Sequence, residues 1–363
     1  MARRIVIDGR RLTAGRTGVG RYLESLLRQW AATGLPAEGV HVVLAHPSGL
    51  DLVPRATGLT AQVAAPNVPG LLWERFGLAR SLRPGDLLFA PANLVPRAWR
   101  GPTVLVMHDA LQEVRPNDFP RLIHLRFGRR YRRAIAVATR VLVPSEATAN
   151  DVQQVYGVAR DRLAVIRPAP DPDFRPLPPG DPAIVEARRA VGLGDSPFFL
   201  FAGKRSRRRN VPAILAALAT VRLRLPDHIL AFVGDSSGLA DAAGVIDAGH
   251  VSDAVLRGLM ASAVALLYPS EHEGFGLPVI EAMASGCPVV TLRRAALIEA
   301  GGDGPLYLET ADPTVLADAM SRLATDGAMR GERVAVGLAE AAKNSIQRFA
   351  DAVKDELERV ARR

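Results

Sequence analysis

Residues 263–288 constrain the fold most tightly. Ala263-Val264-Ala265-Leu266-Leu267-Tyr268-Pro269-Ser270 is a continuous apolar run of the kind that fills a parallel strand buried on both faces. Parallel strands need crossover connections, so the run commits its surroundings to an α/β layer. It leads into Glu273-Gly274-Phe275-Gly276-Leu277-Pro278-Val279-Ile280-Glu281, a glycine-rich turn entering a helix. Pro278 suits the first helical position, and Gly286 and Pro288 stop the helix after Ser285. The unpaired amides of the first turn, with the helix dipole behind them, form an anion site at the C-terminal edge of the sheet. Gly274 and Gly276 let backbone approach a ligand with no side chain between.

Glu273 and Glu281 bracket that turn. A carboxylate accepts two hydrogen bonds and so suits a vicinal diol, and a nucleotide sugar carries one diol on each side of its diphosphate. The spacing places Glu273 near a sugar and Glu281, in the first helical turn, facing a ribose. The residues also admit a plainer reading, with Glu273 capping the turn and Glu281 on a solvated helix face.

Glu-x7-Glu in the setting EGFGLPVIEAMASGCPVV resembles the retaining glycosyltransferases of family four, and the resemblance extends over nearly the whole chain. It implies a GT-B architecture of two doubly wound Rossmann-like domains facing a cleft, with the donor held mainly by the second. The expected domains are 1–170, joined by a last helix at about 348–363, and 171–347.

The length of 363 residues accommodates two domains with full cores. No run approaches the ~18 apolar residues of a membrane span, and the basic start contains no signal-peptide stretch, so the expectation is a cytoplasmic protein. A single cysteine, Cys287, excludes an internal disulfide framework and reads as a small core residue. The net charge of +9 implies attraction to anions: nucleotides, nucleic acid or an anionic membrane.

In chain order, the strand Arg4–Asp8 runs through Gly15-Arg16-Thr17-Gly18-Val19-Gly20-Arg21 into a helix with Tyr22, Leu23, Leu26, Leu27 and Trp30 at helical spacing. A glycine-rich turn alone is weak evidence for phosphate; the resemblance points to Gly18 and Gly20 as donor-side residues. Strands at 40–45, 86–90 and 103–107 follow, the last ending in His108-Asp109. The strand-end position suits ligand binding, and it suits equally a histidine satisfied by Asp109. The resemblance implies a donor-sugar contact for His108. Pro120 to Arg140 carries seven arginines and no acid. Read as one helix, it aligns Arg126, Arg129, Arg130, Arg133 and Arg140 in a stripe that is either a solvated face or a dock for an anionic membrane.

Pro168 to Gly180 has the composition of an interdomain linker, and its Asp171-Pro172-Asp173 reads as a turn rather than a metal motif, so no metal is expected. Phe198–Gly203 opens the second domain as a strand, followed by Lys204-Arg205-Ser206-Arg207-Arg208-Arg209-Asn210 and a helix from about Val211. Cations at a helix start suggest a diphosphate cradle. The run lacks the interleaved aromatics of a nucleic-acid surface, so no nucleic-acid partner is expected. The resemblance assigns the phosphate grip to Arg209, with Lys204 and Arg205 beside it, and adds Gly234, Val251, Phe275, Gly276 and Leu277 to the donor-binding set.

The resemblance, taken with these features, implies transfer of a mannose-like or glucose-like hexose, with retention, from a GDP-, UDP- or dTDP-linked donor to the hydroxyl of an acceptor glycan or lipid-linked saccharide. The catalytic set is Glu273, His108 and Arg209, with no cofactor. A nucleotide-sugar epimerase of the same fold and a non-catalytic nucleotide-binding or membrane-docking scaffold are the alternatives.

Overall fold

The computed structural model describes residues 3–13, 18–66, 68, 70–235 and 242–362, with the side chains of 71 and 121–126 outside the description. The chain divides into two compact units, Met1–Pro168 with Ser345–Arg363, and Ala169–Asn344.

The first unit is built on a parallel sheet of seven strands: β1 (Ile5–Asp8), β2 (Val40–Leu44), β3 (Leu59–Val63), β4 (Leu87–Ala90), β5 (Thr103–Val106), β6 (Arg140–Val143) and β7 (Leu163–Val165). Their spatial order is β3-β2-β1-β4-β5-β6-β7, so the order reverses between β1 and β4. The central strands are short and apolar because helices cover both faces; every residue of β1, β4 and β5 is buried. In the helix Gly18–Thr33, Tyr22, Leu23, Leu26, Leu27 and Trp30 form the buried stripe that their spacing predicts. The terminal helix Ile346–Ala361 lies against it. Trp30 Nε1 donates to the Ala350 carbonyl at 3.0 Å, and Arg140 Nε donates to Glu356 Oε2 at 2.7 Å.

The second unit carries six parallel strands: β8 (Phe198–Ala202), β9 (Ile229–Val233), β10 (Val245–Gly249), β11 (Ala265–Tyr268), β12 (Val289–Leu292) and β13 (Leu306–Leu308). Their order is β10-β9-β8-β11-β12-β13, with the reversal between β8 and β11. Phe199, Phe201, Phe232 and Leu267 fill one side of the sheet, and Leu200, Leu266, Ile280 and Met283 fill the other. Cys287 is buried there, and its burial pushes the thiol up to about 12, as suits a core residue.

Three readings need correction. Strands β3 and β13 escape the sequence pattern: β3 alternates partly buried and exposed residues and includes Thr60 and Gln62, and β13 is only three residues long. The arginine-rich stretch is not one helix; the helix is Arg121–Val137, and Arg140 begins β6. Nor is its stripe a free cationic face. Arg130 pairs with Glu74, which Arg10 also pairs, while Arg10 engages Asp8 at the end of β1. Arg133 donates to the carbonyls of Val95 and Pro96 at 3.3 and 3.4 Å. Arg129 is exposed, and the Arg126 side chain lies outside the described residues.

Among the described residues, no helix is long and apolar enough to cross a membrane.

Candidate active site

In an open α/β sheet, ligands bind beyond the carboxyl ends of the strands where the order reverses. In the second unit that point lies between β8 and β11. The loop leaving β8 is the basic run, and the loop leaving β11 carries Glu273.

Glu273 is 8% exposed, and four donors converge on its Oε1. These are Arg208 Nη1, Arg209 Nε at 3.1 Å, the Tyr268 hydroxyl at 2.8 Å and the Ser270 hydroxyl at 2.9 Å. Burial alone would push the carboxyl pKa upward; Arg209 and Arg208, with the hydrogen bonds of Arg208 and Tyr268, outweigh it and hold the group at about 2. Burial also works against the Arg209 charge, but Tyr268 and Glu273 keep that guanidinium above its ordinary pKa. Its carbon lies 5.3 Å from the centre of the Tyr268 ring, within cation–π range. The result is a carboxylate with two arginines fixed on one of its oxygens.

Arg208 is the member that sequence reasoning missed, having named Arg209 with Lys204 and Arg205 beside it. A 3₁₀ turn at Arg207–Arg209 brings both side chains to Glu273, and Asn210, at φ +50°, then redirects the chain into the helix Val211–Arg222. Asn210 Nδ2 donates to the Pro269 carbonyl at 3.0 Å and to Glu271 Oε1 at 3.2 Å, while Arg294 Nη2 donates to Glu271 Oε2 at 2.7 Å. The two loops are thus tied together at several points. Tyr268 and Ser270 were legible only as strand residues, because nothing in the linear pattern says that their hydroxyls turn toward Glu273.

Lys204 joins this cluster through its backbone, its carbonyl accepting from Arg209 Nη1 at 3.1 Å, while its side chain turns away. Lys204 Nζ stands 3.8 Å from Asp235 on the surface, and the Arg205 amide donates to the Asp235 carbonyl at 2.9 Å. The glycines beneath have steric reasons. A Cβ on Gly203, at φ +147°, would come 2.3 Å from Arg209 Nη1, and one on Gly234, at φ +123°, would come 2.2 Å from the Gly203 carbonyl oxygen. Gly203 therefore leaves the space that the Arg209 guanidinium fills. Val251 is partly buried against the core of this unit.

Gly276, at φ +118°, caps the helix Leu277–Ala284, and Phe275 is buried behind it. Pro278 is the second helical residue and not the first, and Glu281 is the fifth, past the first turn where the sequence reading set it. Glu281 is 2% exposed and so is not on a solvated face.

In the first unit, the helix begins at Gly18, which is exposed, and Gly20 is buried; Gly15, Arg16 and Thr17 of the expected loop lie outside the described residues. His108 Nε2 lies 2.7 Å from the Pro91 carbonyl, which can only accept, so Nε2 carries the proton and Nδ1 presents its lone pair. Burial, with a smaller contribution from Arg11, lowers the imidazole pKa to about 4 against the raising effect of Pro91. His108 is thus a neutral ring with a fixed tautomer. Asp109 Oδ1 accepts the Leu111 amide at 3.1 Å.

Asp171-Pro172-Asp173 forms a turn, in which Asp171 Oδ1 accepts the Asp173 amide at 2.9 Å, and Asp173 pairs with Arg257 at 2.7 Å. Among the described residues no cluster of three or more His, Cys, Asp or Glu could hold a metal ion.

Two parallel, doubly wound sheets with an arginine-bound carboxylate at a reversal point place this protein in the GT-B class of glycosyltransferases. The comparisons agree. Residues 16–174 match the model "Glycosyltransferase Family 4" and residues 196–326 match "Glycosyl transferases group 1". The chain belongs to glycosyltransferase family 4. It is 30% identical to a D-inositol 3-phosphate glycosyltransferase of Xylanimonas cellulosilytica, over 69% of this chain and 64% of that protein. It is 24% identical to the O-antigen chain mannosyltransferase B of Escherichia coli, over 90% of this chain and 91% of that protein. The chain thus spans somewhat under two thirds of the first of these relatives and nearly all of the second. Among solved structures, Anabaena HepE in complex with UDP-glucose superimposes with a TM-score of 0.74 at 18% identity, covering 98% of this chain and 99% of that one. WaaG, a glycosyltransferase involved in lipopolysaccharide biosynthesis, gives 0.73 at 18% identity over 97% and 99%.

Proposed function

We propose that this protein transfers a hexosyl group, with retention of anomeric configuration, from a nucleoside diphosphate sugar to a hydroxyl of a glycan or lipid-linked acceptor. The observation that carries the reading is the pair Arg208 and Arg209, fixed on Glu273 Oε1 at the β8/β11 reversal point.

In such a transfer the bond from the anomeric carbon to the β-phosphate oxygen breaks as an oxocarbenium-like sugar forms. The acceptor oxygen adds to the same face, and its proton passes to the departing phosphate oxygen. The charge that grows on the diphosphate needs preorganised cations and donors. Arg208 and Arg209 supply the first, and the N-terminal amides of the helix Leu277–Ala284 supply the second, so we infer that no metal ion is required. Because four donors already occupy Glu273 Oε1, we assign its other oxygen, Oε2, to a sugar hydroxyl. Glu281 is assigned to the ribose, and the Nδ1 lone pair of His108 to a hydroxyl of the transferred sugar.

The relatives support a polysaccharide, lipopolysaccharide or glycolipid setting: one is named for an O-antigen mannosyltransfer, another for glycosylation of inositol 3-phosphate, and HepE binds UDP-glucose. Thermal-shift screening against UDP-, GDP- and dTDP-sugars tests the donor site, and binding to none would overturn the reading. Donor consumption should require an acceptor, and turnover without one would favour an epimerase. The one-bond C1–H1 coupling of the product, compared with that of the donor, reports retention, and unchanged turnover in EDTA checks the metal-free chemistry.

A further inference from the structure

In the first unit the strand order reverses between β1 and β4. The loop leaving β4 is Pro91-Ala92-Asn93, and it holds His108, which follows β5, in two places. The Pro91 carbonyl accepts from the imidazole Nε2–H at 2.7 Å, and Asn93 Oδ1 accepts from the His108 backbone N–H at 3.1 Å. Asn93 does this from the left-handed region at φ +60°, one of three non-glycine residues with positive φ among those described. Asparagine tolerates that conformation better than most residues, but there it still costs more than an extended one, and such conformations concentrate where the surroundings over-determine them. The left-handed turn lets the same short loop present a carbonyl to the ring and a side-chain amide to the backbone. A third element closes the arrangement: the Tyr22 ring, on the helix Gly18–Thr33, meets the imidazole edge-on at 5.1 Å. The Tyr131 hydroxyl, from the helix Arg121–Val137, stands beside the Asn93 side chain.

We infer that Asn93 is a positioning residue for the transfer reaction: through its bond to the His108 amide it fixes the imidazole so that the Pro91 carbonyl holds the proton on Nε2 and Nδ1 faces the sugar. This rests on the reading of His108 as a donor-sugar contact. Asn93 itself touches neither substrate; it acts by keeping the His108 ring from rotating or exchanging tautomers. Misplacement of a substrate-contacting group by about 1 Å can cost on the order of 100-fold, and loss of a residue that orients such a group typically costs about 10- to 100-fold.

The decisive variant is Asn93→Gly. Glycine adopts φ +60° without strain, so it preserves the turn while removing the hydrogen bond to His108. We expect it to fold, with a melting temperature lowered by only a few degrees as the loss of one hydrogen bond implies, and to lower kcat by about 10-fold or more with little change in donor KM. In ¹⁵N-resolved imidazole spectra, His108 should lose its single Nε2–H tautomer. Asn93→Asp, which keeps an acceptor oxygen at the same place, should restore both. If Asn93→Gly keeps wild-type kcat and tautomer, Asn93 is only a turn residue and the inference fails. The double variant separates the two readings. With His108→Ala in place, Asn93→Gly should cost nothing further, and an additive loss would show that Asn93 acts through something else. If His108→Ala is itself silent, it is the donor-contact reading that falls, whereas the imidazole spectrum still reports whether Asn93 sets the ring.

Discussion

Glu273→Gln tests the arginine-bound carboxylate directly, because it removes the charge while keeping size and shape. The carboxyl has an ordinary pKa of 4.5 and is held at about 2 in the folded chain, a difference equivalent to about 3 kcal/mol of stabilisation of its ionised form. The side chain is 9% exposed, so little of this is lost to solvent screening. The folded pKa is the lower one. The contribution is therefore complete above about pH 5, where the group is ionised in both states, and disappears as pH falls toward 2. At pH 7 the variant should be less stable by about 3 kcal/mol, the range expected when one partner of a buried pair is removed. At pH 3 the deficit should shrink to about 1 kcal/mol. Urea denaturation followed by far-UV circular dichroism measures both. Trp30, Trp73 and Trp99 all lie in the first unit, so tryptophan fluorescence serves as an internal control that should hardly move. Equal destabilisation at pH 7 and pH 3 would refute the argument, because the loss would then owe nothing to charge.

Three further outcomes follow from the same geometry. Arg208→Ala and Arg209→Ala should each weaken affinity for a nucleoside diphosphate by about 10-fold or more, as loss of a charge-assisted contact implies, and calorimetric titration with UDP and GDP would show it; an effect confined to Arg209 would return the grip to that residue alone. Glu74→Ala leaves Arg10 and Arg130 without their shared carboxylate and should destabilise the first unit by about 3–5 kcal/mol, read from the tryptophan fluorescence transition. His108 should titrate near 4 by NMR. Since that value lies below the ordinary 6.5, its contribution to stability is present above about pH 6.5 and is lost as pH falls toward 4, and no activity loss between pH 5 and 7 should trace to this ring.

The local parts of this protein are written in its sequence. The apolar run from Ala263 can only be satisfied as a strand covered on both faces, and glycines followed by Pro278 can only turn and start a helix, so strand, turn and helix follow from short-range physics. The basic run between β8 and Val211 is legible for the same reason. Strands β3 and β13 were not: β3 mixes Thr60 and Gln62 with small or half-exposed apolar residues, and the Leu-Tyr-Leu of β13 is too short a run to read.

What only the tertiary structure decided is which side chains share a charge. Arg208 and Arg209 are neighbours in sequence with indistinguishable chemistry, and only the approach of two loops at the β8/β11 reversal makes both of them partners of Glu273. The arginines of the helix Arg121–Val137 make the opposite point. Their spacing describes a cationic stripe, yet Glu74, far away in the chain, neutralises Arg130, and loop carbonyls engage Arg133. His108 lies between these cases: its place at a strand end was readable, whereas its neutral state and proton position depend on Pro91 and Asn93, brought beside it by the pairing of β4 with β5. Charge pairing and tautomer are set by through-space neighbours within a few ångströms, and sequence distance does not encode them.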